Sequence, residues 1–187
     1  MKQYILPAIR LTLVSILVFT VLYTAIIWAI AQAGPNSGKG ETVAVGDKVV
    51  GYKLEGQSFT ADNYFNSRPS AVGYNAAGSG GSNKGPSNPD YLKTVQERVD
   101  TFLVHNPSVK KEEIPSELVT ASGSGLDPNI SVPGANVQVQ RIAKARGIGE
   151  EKVRALIEKH TEQPLAGMFG TTKINVLLLN IDLDQIK

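Results

Sequence analysis

Serine, histidine and glycine residues at suggestive spacings bear first on chemistry. Ser124 lies in Ser122-Gly123-Ser124-Gly125-Leu126, close to the G-x-S-x-G of a nucleophile elbow. That turn needs glycine at both outer positions, which here are Ser122 and Leu126. Ser108-Val109-Lys110-Lys111 is an S-x-x-K run without its S-D-N and K-T-G helpers. Gly38-Lys39 is followed by Gly40, and Lys84 follows Asn83, so neither lysine completes a Walker A loop. Gly147-Ile148-Gly149 resembles a DNA-binding helix-hairpin-helix, but a tight helix–helix turn accounts for it more simply. His105 and His160 show no H-x-x-x-H spacing and there is no cysteine, which argues against zinc and thiol chemistry. A membrane-anchored or secreted hydrolase built from scattered Ser, His and Asp is the alternative left open.

Ser79-Gly80-Gly81-Ser82-Asn83 is the candidate contact loop, for a partner protein or a nucleotide. Its glycines could turn backbone N–H groups toward a phosphate. Yet Lys84 is the only cation beside it, and no helix N-terminus follows directly. Arg68, Tyr74, Asn75, Ser124 and Asp127 are the candidate partner-facing or structural loop residues around it. Asp127 precedes Pro128, which favours extended backbone and leaves its carboxylate to accept nearby N–H groups.

The element that must position all of these is N-terminal. Leu11 to Ala31 carries no charge, and none occurs between Arg10 and Lys39. A helix of about 21 residues spans roughly 30 Å, the hydrocarbon thickness of a bilayer. A cleaved signal peptide is the rival, since Ala31-Gln32-Ala33 is an A-x-A pattern, but its apolar core runs only about 7–15 residues. Lys2 and Arg10 precede the span and Lys39 follows it beside Glu41, so the positive-inside rule predicts a cytoplasmic N-terminus. Ala25, Ala29 and Ala33 form a small-residue ridge suited to helix packing in the membrane.

Of 19 basic residues, Lys2 and Arg10 belong to the anchor, which leaves 17 against 17 acidic residues beyond it. A neutral exported domain is not a nucleic-acid surface. The chain thus reads as α+β: one N-terminal transmembrane helix, then a single soluble mixed domain. Residues 1–10 are a short cytoplasmic N-terminus, 11–33 the span, 34–42 a flexible linker and 43–187 the extracytoplasmic domain.

Within that domain, Thr42 to Val45 and Val49 to Leu54 read as strands around Gly46-Asp47. A helix is predicted from about Asp90 to His105, capped by Asn88, with Leu92, Val95, Val99, Phe102 and Leu103 as its apolar stripe. His105 at its end complements the helix dipole. Ser131 opens a helix running to Arg146 and stopped by Gly147, with Val139, Ile142 and Ala143 inward. Gly149 to His160 is a further helix that buries Val153, Leu156 and Ile157. Lys173 to Asp184 reads as a closing strand buried on both faces.

Five motifs carry a resemblance. They are Tyr64-Phe65-Asn66-Ser67-Arg68-Pro69-Ser70-Ala71; Gly73-Tyr74-Asn75-Ala76 with Ser79 to Asn83; Leu118 to Ser131; Arg141-Ile142-Ala143-Lys144-Ala145-Arg146-Gly147; and Asn175-Val176-Leu177-Leu178-Leu179-Asn180. In this order, behind an N-terminal span, they resemble the C subunit of the Kdp-type potassium-transporting ATPase, the KdpC family. The resemblance implies a non-catalytic accessory subunit in a bacterial or archaeal cell (inner) membrane, with a potassium-conducting A subunit, a P-type ATPase B subunit and a small F subunit as partners. It implies no tightly bound cofactor, ATP and potassium being handled by the complex. Two roles are implied: a catalytic chaperone raising the ATP affinity of the B subunit through the Ser79–Asn83 loop, or an outer-face cap that assembles the complex at the potassium entrance.

Overall fold

The computed structural model describes residues 2–186, with Lys2 as backbone only. Its contacts divide the chain into two units at Thr42/Val43.

In the first unit, α1 (Lys2–Ser15) continues through a π-helical stretch, Ile16–Leu22, into α2 (Tyr23–Ala31). Together they hold a 29-residue apolar helix, Gln3–Ala31, long enough to cross a membrane. Helix therefore begins well before the predicted Leu11. Gln3 to Ile9 is a largely apolar run, and Pro7 forfeits one hydrogen bond without ending the helix. The wider π spacing brings the Tyr23 N–H to the Val18 carbonyl, five residues back. Ala33 falls past the end of α2, in a turn where its N–H reaches the Ile30 carbonyl at 3.0 Å, whereas Ala25 and Ala29 lie on the helix. The segment after it is tightly turned: Pro35–Gly38 is a 3-10 turn with Asn36 and Ser37 both at φ 52°.

The second unit is α+β. β1 (Thr42–Val45) and β2 (Lys48–Tyr52) form a two-stranded sheet, turned at Gly46 with φ 59°. α3 (Pro89–His105) starts as predicted: Asn88 Oδ1 accepts the Tyr91 N–H at 3.0 Å. Its stripe is only partly covered, because Val99 is buried while Leu92 stays exposed. β3 (Asn129–Ile130) leads into α4 (Val132–Asn136), where Ser131 Oγ accepts the Gly134 N–H at 3.0 Å. α5 (Val139–Arg146) ends at Gly147, φ 66°, as C-cap glycines do. α6 (Glu150–Lys159) buries Val153, Leu156 and Ile157. β4 (Thr161–Glu162) and β3 flank β5 (Lys173–Asn175) in an antiparallel sheet with order β3-β5-β4.

Two predicted elements differ. The single helix from Ser131 to Arg146 is split at Val137–Gln138, because Gln138 turns its fully buried amide inward to bond other segments. The predicted closing strand is mostly a helix, α7 (Val176–Leu183). Asn175 Oδ1 caps it by accepting the Leu178 N–H at 3.1 Å. Val176, Leu177, Leu179, Asn180 and Leu183 of α7 are buried while Leu178, Ile181 and Asp182 are half-buried, and so short and largely apolar a run shares its pattern with a two-faced strand. The core joins Phe65, Ile130, Ile142, Ile174, Leu179 and Leu183.

Candidate functional site

The irregular segment 59–69, which turns at 61–64 where the Tyr64 N–H bonds the Ala61 carbonyl at 3.1 Å, is held from beneath before it reaches the loops. Phe65 is fully buried, and its backbone pairs with one side chain as a strand would. Its N–H donates to Asn180 Oδ1 at 2.9 Å and its carbonyl accepts from Asn180 Nδ2 at 3.0 Å. Arg141, buried in α5, spreads its guanidinium beneath the same segment. It donates to the carbonyls of Asp62 (2.6 Å) and Tyr64 (3.0 Å), and to Asn66 Oδ1 (3.0 Å), Gln138 Oε1 (2.7 Å) and Asn106 Oδ1 (3.1 Å). Burial lowers its pKa, opposed by the Asp62 carboxylate. Arg146 stacks 4.9 Å from the Tyr64 ring and donates to the Asn63 carbonyl at 2.6 Å. Tyr64 in turn donates to Asp184 at 3.0 Å, and that bond leads the causes that raise its pKa.

So anchored, the segment presents Arg68. Its Nη1 meets Asp127 Oδ2 at 2.8 Å, while Asp127 Oδ1 accepts the Asn129 N–H at 3.0 Å. Tyr74, at φ 60°, donates its hydroxyl to the Arg68 carbonyl at 2.7 Å, and burial raises its pKa. The Ser124 carbonyl accepts both the Ser79 hydroxyl at 2.9 Å and the Gly80 N–H at 2.8 Å. Ser122 N–H reaches the Pro69 carbonyl at 3.1 Å. Gly125 makes this closeness possible: at φ 68° a Cβ there would lie 2.6 Å from Val72 and 2.7 Å from the Gly80 carbonyl. Beside the joined loops is a cleft of about 420 Å³ lined by Glu55, Ser79, Ser122, Ser124 and Asp127, among others.

Arg68, Tyr74, Ser79, Gly80, Ser124 and Asp127 are thus brought together from distant stretches. Gly81 packs near the Gly123 carbonyl, 3.0 Å from where its Cβ would stand. Ser82 is half-buried and Asn83 exposed, at φ 53°. Asn75 stands apart and caps its own turn, accepting the Ala77 N–H at 3.0 Å. Ala25 and Ala29 belong to the other unit, exposed along α2. Neither histidine lines the cleft. His105 Nδ1 is 2.8 Å from Asp62, and His160 Nε2 is 2.8 Å from Asp182. The helix-end histidine is therefore also one half of an exposed pair.

A model of the family described as K+-transporting ATPase, c chain, matches residues 5–185. The chain belongs to this family. It is 56% identical over 183 residues to the potassium-transporting ATPase KdpC subunit of Flavobacterium psychrophilum, covering 98% of both chains. With the KdpC subunit of Phocaeicola vulgatus it shares 54% over 190 residues, the full length of both. With that of Bacillus cereus it shares 44% over 188 residues, 99% of this chain and 97% of the other. In this KdpC-family chain, sequence inspection passed over Arg141, Gln138 and Asn180 as individual residues. Each had a local signal: a polar residue set among buried neighbours, as Arg141 is between Val139 and Ile142.

Proposed function

We propose that the chain is a non-catalytic accessory subunit of an ATP-driven potassium-uptake complex, anchored by its N-terminal helix. Its potassium-conducting A, ATPase B and small F partners would do the transport and the ATP chemistry. Potassium transport and ATPase are words of its relatives' names. The joined loops would meet the outer face of a partner rather than ATP. One observation carries this choice: the Ser124 carbonyl takes both the Ser79 hydroxyl and the Gly80 N–H. A phosphate cradle needs such donors turned outward, and here they are turned onto the neighbouring loop. The glycines serve loop-to-loop packing, which Gly125 and Gly81 permit by lacking a Cβ.

The charge asymmetry about the span supports an outer location. The chain has no cysteine, so Ser82→Cys is a single probe. A membrane-impermeant maleimide is expected to label it in intact cells lacking the partner subunits, with outer-membrane access ensured. Labelling only after lysis would put the loop in the cytoplasm and restore direct contact with ATP.

A further inference from the structure

A second exposed feature has no part in the joined loops. Between β4 and β5 the chain closes a tight tip, with Leu165 and Phe169 paired in both directions: N–H to carbonyl at 2.9 Å and 3.0 Å. Gly167 N–H bonds the Pro164 carbonyl at 2.9 Å, and Met168 N–H the Leu165 carbonyl at 3.2 Å. Left-handed backbone at Ala166 (φ 53°), Gly167 (φ 71°) and Gly170 (φ 96°) makes the reversal. The tip holds three large apolar side chains in water: Leu165 is 76% exposed, Met168 75% and Phe169 65%. From Gln163 to Thr172 there is no charge. Lys173 and Glu162, at its base, lie 3.6 Å apart.

Single exposed apolar side chains are ordinary, but three on one self-bonded turn mark an interaction site. We propose that this tip is an anchor that inserts into an uncharged apolar socket on another chain of the same ATPase complex, an inference that rests on the complex membership proposed above. Phenylalanine and methionine are enriched, and charge depleted, at the centres of protein interfaces. The turn's own hydrogen bonds hold the side chains out in advance, which lowers the ordering cost of binding. A bilayer surface is the poorer occupant, because loops that dock on lipid add basic side chains for anionic headgroups. Here the lysine at the base, Lys173, lies 3.6 Å from Glu162. A second copy is poorer too. Three side chains fall far short of the roughly 800 Å² per partner of a free-standing interface. A small anchor suffices for a subunit already tethered by other contacts, where effective concentration supplies the rest.

The test uses the full chain expressed with its partner subunits. A benzophenone amino acid placed at Met168 is expected to give a light-dependent adduct, identified by mass spectrometry as another chain of the complex. An adduct with lipid alone, an adduct with a second copy alone, or no adduct in a complex that purifies intact would each overturn the proposal. The triple variant Leu165→Ser, Met168→Ser, Phe169→Ser gives the second readout. Its thermal unfolding should match the parent's, while its retention through dilution in detergent falls on the order of tenfold. Unchanged retention would also overturn the anchor. A parent chain that fails to co-purify with an ATPase at all removes the complex membership, and the tip's socket with it.

Discussion

Asp127 divides its two oxygens between two tasks. One holds Arg68, the other holds the Asn129 N–H that starts β3. Its place before Pro128 predicts a carboxylate turned to backbone, but Arg68 lies 59 residues away and only folding brings it near. Asp127→Ala should lower stability by about 1–2 kcal/mol, the scale of a lost cap and a half-exposed ion pair. Chemical denaturation checks this; unchanged stability with lost potassium uptake would make the residue a contact rather than a strut. Asp182 is a pH-dependent counterpart. Its Oδ2 accepts from Lys159 at 2.7 Å and lies 2.8 Å from His160, and these partners, Lys159 first, hold its pKa below the ordinary 3.8. A depressed carboxylate pKa stabilises the fold above the unfolded value, and that stability is lost as pH falls through the folded one. The urea midpoint difference between parent and Asp182→Asn should therefore hold steady from about pH 7 to 5 and shrink in stronger acid. A difference that persists unchanged at about pH 2 would rule the linkage out.

At the scale of elements, α7 shows how one side chain stands in for a strand. Asn180 faces the edge of segment 59–69 and satisfies both backbone groups of Phe65. Asn180→Leu preserves bulk but strands a buried N–H and a buried carbonyl. A loss of about 2–4 kcal/mol is expected, since each unsatisfied group costs roughly 1–3 kcal/mol. Thermal unfolding monitored at the helical band would measure it, and a loss below about 1 kcal/mol would mean that Phe65 finds other partners. α3, α6 and the end of α5 were legible because their caps and periodicity are local: Asn88, Gly147 and the spacing of Val153, Leu156 and Ile157. The break between α4 and α5 was not, because Gln138 leaves the helix pattern for an acceptor role toward Asn66 and Arg141.

Across the whole molecule, the N-terminal helix is exposed along its entire apolar window, and a lipid or protein surface must cover it. Ala25 and Ala29, one turn apart on α2, are the small side chains that would let another helix approach closely. Replacing both by Leu should leave membrane insertion intact and weaken recovery of the complex. Equal recovery of the complex from solubilised membranes would show that α2 does not assemble through this face.

What the sequence by itself determined is whatever depends on neighbours along the chain. The apolar run, the Asn88 and Ser131 caps, the Gly147 stop and the family motifs all rest on local spacing or on residue identity. Tertiary structure decided what depends on distant partners. Arg141 became a clamp under segment 59–69 because Asn106, Asp62, Tyr64 and Asn66 converge on it from other segments. Val176 to Leu183 became helix with Val176, Leu177, Leu179, Asn180 and Leu183 packed into the core and Asn175 capping its start. The Ser79–Gly80 loop closed on Ser124 because Gly125, 45 residues beyond Gly80, lacks the Cβ that would block it. Hydrogen-bond partners and steric room across the fold are not written in any local window, and they are what packed the Ser79–Gly80 stretch onto Ser124.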